Sequence, residues 1–301
     1  MKRLSHIFRP ILPSRLHGRR LGLVGLLLGI VVGLSACGGG LGKELERSFV
    51  PPEDPTLQAI LADLAENDAA WHSFEGRGRA IVETPNLEAI QVLRQSDVMY
   101  RKPDALHVIG RRHGTTAFRL TGVNRAFLME FPTERQYVLE TETILSDDYQ
   151  RISPVDLLHE IFQQEDWGAL PRERVHLDTF HEEEDGLWAL LDIYAPQGNY
   201  PRRRLRLEAA PAWVVRESKL LDPESGTLIA ETRLNNYRLL EGVRFPADVA
   251  TEFPLHESRM EFAFSNITLN RSLDAALFDL EAQHQALRQR GFERVYPEPI
   301  E

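Results

Sequence analysis

Cysteine is almost absent from this sequence. Cys37 is the only cysteine among 301 residues, and three glycines follow it directly. A single thiol cannot form a disulfide framework within the chain, and it cannot make up a cysteine-based metal site. The fold is therefore expected to hold without covalent cross-links.

Basic residues are too few to balance the acidic ones. The chain carries 35 lysines and arginines against 45 aspartates and glutamates, a net charge of −10. Six of the basic residues and none of the acidic ones lie within residues 1–36, so the net charge of the remainder is about −16. A domain this acidic does not attract nucleic acid through its general field. We therefore predict no nucleic-acid partner.

A long hydrophobic run is also missing. Residues 21–34 are apolar, but these 14 residues fall short of the roughly 20 that a membrane-spanning helix needs. They follow the basic segment, and the small residues Ser35 and Ala36 come next. A basic, then an apolar, then a small-residue segment is typical of an export signal. We predict a lipoprotein signal peptide over residues 1–36, with an uncleaved membrane anchor as the alternative.

The residues before the single cysteine predict its function. Small residues such as Ser35 and Ala36 suit a signal peptidase that cleaves at a lipid-modified cysteine, so Cys37 is predicted to begin the mature protein. Its sulfur would carry a diacylglycerol and its amine a further acyl chain such as palmitate, and two or more chains hold a protein firmly at a membrane. Gly38 stands where an inner-membrane retention signal usually has aspartate. This favours a lipid-anchored protein of the outer membrane, facing the periplasm.

A tether and a helix follow the cysteine. Residues 37–55 are rich in glycine and then in charge and proline, as is typical of a flexible tether. Residues 56–301 are predicted to form one domain. A second helix is predicted from Ser153 and a third over residues 272–290. The first helix has an apolar face at helical spacing, made of Leu57, Ile60, Leu61 and Leu64.

Apart from these helices, apolar and polar residues alternate, and turn residues recur about every ten positions. Val98 and Tyr100 share one side of such a run, and Leu106 and Val108 share the next, across a turn at 101–104. Short alternating strands with turns between them are typical of an antiparallel sheet with one buried face. Because helices do not separate every pair of strands, a βαβ arrangement is excluded. The predicted fold is mainly β with α, a curved antiparallel sheet of about eleven strands whose concave face is covered by two or three helices.

Several short stretches within residues 56–280 are similar to one known family. They are residues 71–76 (WHSFEG), 100–104 (YRKPD), 241–246 (EGVRFP) and 262–269 (FAFSNITL). Together they resemble the LolA/LolB-like family, the periplasmic lipoprotein carrier and its outer-membrane lipoprotein acceptor. The resemblance implies an unclosed half-barrel with an apolar cavity that takes acyl chains.

The residues able to line such a cavity are those on the buried side of the alternating runs. The alternative is that the same side chains form a dry core, because alternation identifies a buried face and not a space behind it. The nine candidates are Val98, Tyr100, Leu106, Val108, Phe118, Leu120, Phe127, Met129 and Phe131.

Motifs for covalent chemistry are missing. No Gly-x-Ser-x-Gly turn places a nucleophilic serine, and His159-Glu160 lacks the second histidine of a zinc-protease helix. We predict a protein that is not an enzyme and has no cofactor and no metal. One dense basic run has two interpretations. Its arginines contact lipid phosphates or the acids of a partner, or they are the charges that protect an edge strand from aggregation. The run consists of Arg202, Arg203, Arg204 and Arg206.

Two functional hypotheses follow. The first is a membrane-anchored lipoprotein that binds the acyl chains of a lipid or an acylated protein, as a carrier or acceptor in the cell envelope. Transfer needs no covalent step, because burial of the chains drives their capture. The second is an envelope sensor or scaffold on the same fold, which binds a protein partner.

Overall fold

The computed structural model describes most of the chain after the predicted tether. The described residues are 43–44, 57–83, 91–124, 126–140, 165–183, 186–209 and 211–295. They lie in one compact unit, Gly42–Glu301. This unit contains the whole described core, and we therefore expect it to fold on its own. The predicted signal peptide, Cys37, the tether apart from residues 43–44 and the helix from Ser153 lie outside the described residues.

The described elements are fifteen strands and two α-helices, with three short 3-10 turns at 172–174, 254–256 and 275–278. The helices are α1 (Leu57–Ala69) and α2 (Leu280–Gln289). The first eight strands are β1 (Lys43–Glu44), β2 (Ser73–Glu83), β3 (Gln91–Arg101), β4 (Ala105–Arg112), β5 (Thr115–Val123), β6 (Ala126–Phe131), β7 (Gln136–Glu140) and β8 (Val175–Glu183). The others are β9 (Gly186–Tyr194), β10 (Pro201–Ala209), β11 (Trp213–Leu221), β12 (Leu228–Leu240), β13 (Val243–Phe253), β14 (Ser258–Leu269) and β15 (Glu293–Arg294).

All these strands belong to one curved sheet that does not close. Its order is β15-β7-β6-β5-β4-β3-β2-β14-β13-β12-β11-β10-β9-β8, and β1 pairs with β12 beside this path. Every pair is antiparallel except β15 with β7. The expected curved antiparallel sheet is thus confirmed, but the expected number of about eleven strands was wrong, since fourteen lie along the path. β1 and β15 are two residues long, too short to show an alternating pattern in the sequence.

Alternation and turn chemistry explain why the strands form where they do. Along β13 every second residue is buried, from Val243 to Phe253, because successive side chains of a strand point to opposite faces. The β12–β13 hairpin turns at Glu241 and Gly242, whose φ angles are 52° and 88°. Positive φ at both central residues is what a two-residue hairpin requires, and glycine accepts it without strain.

Helix α1 packs against one side of the sheet, here called the inner face. Its residues Ile60, Leu61 and Leu64 are buried and belong to the main core cluster. Polar contacts fix its position. The Asp63 carboxylate accepts hydrogen bonds from the Trp213 backbone N–H at 2.6 Å and from the Arg244 guanidinium at 3.0 Å. Asn67 exchanges hydrogen bonds with the backbone of Arg244. The helix is thereby tied to the first residues of β11 and β13.

Helix α2 packs against the opposite, outer face of β5–β7. Leu287 of α2 forms a second core cluster with Leu128, Tyr137 and Leu139. These three strand residues alternate with the residues that face inward. The expectation that the helices cover the concave face is therefore wrong for α2. The predicted terminal helix is confirmed only as far back as Leu280, because the Asp279 side chain accepts a hydrogen bond from the Ala282 N–H and begins the helix there.

A buried polar chain links α2 to the sheet. His107 Nδ1 lies 2.8 Å from Thr121 Oγ1, and Thr121 Oγ1 donates to Gln283 Oε1 at 2.9 Å. Burial lowers the pKa of His107 to about 4, and the positive charge of Arg119 adds to this shift while Glu130 opposes it. His107 is therefore neutral in the folded protein at neutral pH.

Asp63→Ala is predicted to lower the free energy of unfolding by about 1–3 kcal/mol, because it leaves the Trp213 N–H and Arg244 without their acceptor. Denaturant unfolding of the unit Gly42–Glu301 measures this loss. Glu66→Ala is the matched control, since Glu66 is exposed on the same helix. Equal stability of the two variants would show that Asp63 does not hold the helix in place.

His107 is predicted to make stability depend on pH between about 6.5 and 4. In this window the unfolded chain binds a proton at His107 and the folded protein does not, so stability falls as the pH is lowered and is fully present above about 6.5. The loss by pH 4 is on the order of 3 kcal/mol. Unfolding measured at pH 7 and pH 4.5 should show a smaller loss for His107→Gln than for the parent chain. Parallel curves would contradict the assignment.

Candidate inner-face groove

The nine predicted cavity residues lie on one face of the sheet. Val98 pairs with Val108, Val108 with Leu120, and Leu120 with Met129, so these four form a row across β3–β6. Tyr100 pairs with Leu106 in the same way. The remaining three, Phe118, Phe127 and Phe131, alternate with outward residues on β5 and β6 and share this inner face.

Burial divides the nine into two groups. Six are at most 4% exposed and belong to the main core cluster, namely Val98, Tyr100, Leu106, Val108, Leu120 and Phe127. Phe118, Met129 and Phe131 on β5 and β6 are only half-buried. Val138 on β7, which pairs with Met129, is half-buried as well. The inner face is therefore packed near α1 and partly accessible over β5–β7.

Aromatic rings fill the end of the inner face next to α1. Phe74 lies 5.2 Å from Phe245 and 6.0 Å from Tyr100, and Trp71 lies 5.6 Å from Phe245 between ring centroids. Lys102 Nζ sits 3.9 Å from the Trp71 ring centroid, a cation–π contact. The Tyr100 hydroxyl donates to the Pro103 carbonyl at 2.7 Å, and burial raises the pKa of Tyr100 far above its usual value. This end is closed.

A short strap, residues 165–170, crosses the inner face. Glu165 accepts a hydrogen bond from Arg203 Nε at 2.9 Å, and both side chains are almost fully buried. Trp167 and Leu170 pack against the main core cluster. Burial lowers the pKa of Lys102, while the negative charges of Asp68 and Asp166 oppose that shift, so Asp166 lies within electrostatic reach of the β3–β4 turn. The strap thus contacts β10 through Glu165 and approaches the β3–β4 turn through Asp166.

The four arginines of the basic run all have partners within the domain. Arg202 and Arg203 bind Glu165, and Arg204 donates two hydrogen bonds of 2.7 Å to Asp192. Arg206 stacks on the Trp188 ring at 3.8 Å from its centroid. The edge-strand interpretation was wrong, because β10 lies between β9 and β11. Sequence reasoning missed these pairs because their acids lie 12 and 37 or 38 residues away along the chain.

Two buried polar atoms have no hydrogen-bond partner among the described residues of this region. They are Ser96 Oγ on β3 and Gln136 Oε1 on β7. Ser96 is 2% exposed and alternates with Asp97, so it shares the inner face with Val98. No signal in the sequence marked this serine, because its alternate neighbours along the strand are Arg94 and Val98.

The described residues also form two clefts away from these nine residues. One of about 210 Å³ is lined by residues of β2 and β12–β14, including Arg79, Asp248 and Glu261. The other, of about 330 Å³, is lined by residues of β9–β12, including Trp188, Arg206 and Arg216. Neither cleft is lined by any of the nine predicted cavity residues.

The described ranges contain no group of three or more histidine, cysteine, aspartate or glutamate side chains arranged to hold a metal ion. Neither α1 nor α2 is long and apolar enough to cross a membrane.

Three bacterial proteins are among those whose solved structures are similar to this chain. A DUF1329 family protein from Desulfovibrio piger matches with a TM-score of 0.53 at 10% identity, over 75% of this chain and 98% of that one. A putative outer-membrane lipoprotein-sorting protein domain from Vibrio parahaemolyticus gives 0.49 at 12% identity, over 77% and 100%. A LolA superfamily protein from Nitrosomonas europaea gives 0.47 at 15% identity, over 76% and 100%.

These likenesses concern the fold alone. Only the first exceeds a TM-score of 0.5, and it shows a shared architecture. The architecture expected from the LolA/LolB-like resemblance, a large unclosed curved sheet with helices packed on it, is the one observed. No protein-family model matches the sequence, and no curated protein matches it either.

Proposed function

We propose that this chain is a lipoprotein of the cell envelope that binds acyl chains along the inner face of its half-barrel. It would act as a carrier or acceptor of a lipid or of an acylated protein. No covalent step is involved, because burial of the acyl chain drives capture and release goes to any site that buries the chain better.

One observation carries the proposal. The inner face of β5–β7 presents the half-buried apolar residues Phe118, Met129, Phe131 and Val138 in neighbouring positions. A contiguous apolar surface that the protein does not bury completely marks a place for an apolar ligand. Because α1 and the aromatic rings close the other end, an acyl chain would enter over these strands.

The proposed site of lipid attachment is Cys37, which lies outside the described residues. Lipid on Cys37 would hold the domain at the membrane from which its ligands come, and Gly38 favours the outer membrane. The acidic domain gains little from the anionic surface of a bilayer, so attachment would depend on the acyl chains.

Met129→Asp is predicted to weaken binding of a fluorescent palmitoyl probe to the unit Gly42–Glu301 by at least about ten-fold, because the chain would have to desolvate a carboxylate. Leu255→Asp is the control, since Leu255 is 55% exposed in the turn after β13. Because Met129 packs against the main core, Met129→Asp should also lower the melting temperature, so binding is compared at a temperature at which all three proteins are folded. Equal binding by all three proteins would contradict the proposed groove. A folded domain that captures a protein and no probe would support the scaffold hypothesis instead.

Cys37→Ser is predicted to abolish both lipid attachment at residue 37 and cleavage before it, in a host that exports and lipidates the full chain. The proposed peptidase cleaves only at a lipid-modified cysteine, so the parent chain should begin at acylated Cys37 while the variant keeps residues 1–36 and carries no acyl chain. Fractionation of cells, with mass spectrometry of the mature N-terminus, measures the change. Ser35→Ala is the control, because alanine is also small. A parent chain that keeps residues 1–36 and carries no lipid would support the uncleaved anchor instead.

A further inference from the structure

Ser96 is the one fully buried hydroxyl of the inner face whose oxygen has no hydrogen-bond partner in the described part of the chain. Its side chain is 2% exposed, and Oγ makes no hydrogen bond. Other buried serines of the sheet are paired. Ser73 Oγ donates to the Arg271 carbonyl at 2.8 Å, and Ser218 Oγ accepts from Arg203 at 2.8 Å. A buried polar atom without a partner costs free energy, so native proteins rarely keep one without a reason.

The neighbours of Ser96 on both adjacent strands are glycines. Gly78 of β2 is its direct partner. On β4, Gly110 follows Ile109, the partner of Asp97, and therefore lies next to Ser96. Without Cβ atoms on either side, the hydroxyl is not covered by side chains from its own row of β2–β4. Gln95, just before it, has a φ of 60°, and the pairing of β2 with β3 shifts register here, which marks a β-bulge. Bulges of this kind often re-aim a side chain beside a binding site.

The row containing Ser96 leads into the half-buried region. Gly110 pairs with Phe118, and a Cβ added to Gly110 would lie 2.5 Å from Phe118 Cε1, so the Phe118 ring lies over the glycine. Phe131 pairs with Gln136 at the far end of the sheet. Apolar rings thus extend from the orphan hydroxyl to the accessible strands β5–β7.

We infer that Ser96 marks a polar subsite, at which the carbonyl oxygen of an acyl linkage accepts a hydrogen bond from the Ser96 hydroxyl. The inference rests on the proposed acyl-binding function and deepens it. An acyl chain lying against Phe118 and Phe131 carries its ester or amide carbonyl at one end. That carbonyl needs a donor when it leaves water, and Ser96 is a donor without an acceptor. The ligand class is therefore an O-acyl or N-acyl group and not a plain hydrocarbon.

Three probes with the same chain length test the inference on the unit Gly42–Glu301. They are monopalmitoyl glycerol, its hexadecyl ether and N-palmitoyl glycine amide. The parent domain is expected to bind the ester and the amide about five-fold more tightly than the ether, the ratio that one ordinary hydrogen bond gives. Ser96→Ala should bind all three equally, with its affinity for the ether unchanged. A preference for only the ester or only the amide would identify the source of the acyl group.

Thermal unfolding without ligand supplies an independent readout. Ser96→Ala is expected to leave the melting temperature unchanged or raised, because it removes an unpaired hydroxyl, whereas Ser73→Ala should lower it. A lowered melting temperature for Ser96→Ala would show that the hydroxyl has a structural partner such as a buried water, and would overturn the inference. Equal binding of ester and ether by the parent domain would overturn it while leaving acyl binding intact. No binding of any probe would instead contradict the proposed function.

Discussion

The docking of α1 against one end of the inner face is the contact on which the remaining architecture depends. The apolar inner face of an unclosed sheet needs a second layer. Among the described residues, α1 supplies that layer at one end, and the strap 165–170 packs on the same face. Asp63 and Asn67 tie the helix to β11 and β13, while Trp71 and Phe74 continue its packing into the ring cluster. In the part of the chain that the structure describes, the inner-face residues Phe118, Met129 and Phe131 of β5 and β6 are half-buried, and the proposed groove rests on this.

The strands that form the proposed groove, β5–β7, also pack against α2 on their outer face. On β6, Phe127 faces the main core and Leu128 faces α2, so this strand is buried on both sides. The free edge of β7 is paired with β15, and the Tyr137 hydroxyl lies 3.1 Å from His284 of α2. Because β6 is packed on both faces and its neighbour β7 is paired at its outer edge, the backbone here is expected to deform little. Adaptation to a ligand would therefore fall to the half-buried side chains and not to the backbone.

The alternating pattern was enough to predict the class of fold and to place nine residues on one face, because the period of two is imposed by the strand itself. It did not reveal that α2 lies on the outer face, although β6 (AFLMEF) is apolar at nearly every position, as strands covered on both sides are. The partners of Arg203 and Arg204 were also beyond reach, since ion pairs between residues distant in sequence leave no periodic signal. Likewise the orphaned state of Ser96 depends on which residues β2 and β4 bring beside it, and two glycines there give no local cue.

The partial burial of the groove also bears on how a carrier releases its cargo. Each CH₂ taken out of water contributes about 0.8 kcal/mol, so affinity grows with the length of chain that the protein covers. A deep, fully enclosed channel would hold a long acyl chain too tightly to release it. The proposed groove, in which Leu120 and Phe127 belong to the packed core while Phe118, Met129 and Phe131 are half-buried, would cover only part of a chain. Under the proposed function, such a groove would bind acyl groups from water and yield them to a site that buries more of the chain, because the difference in affinity between the two sites decides the transfer.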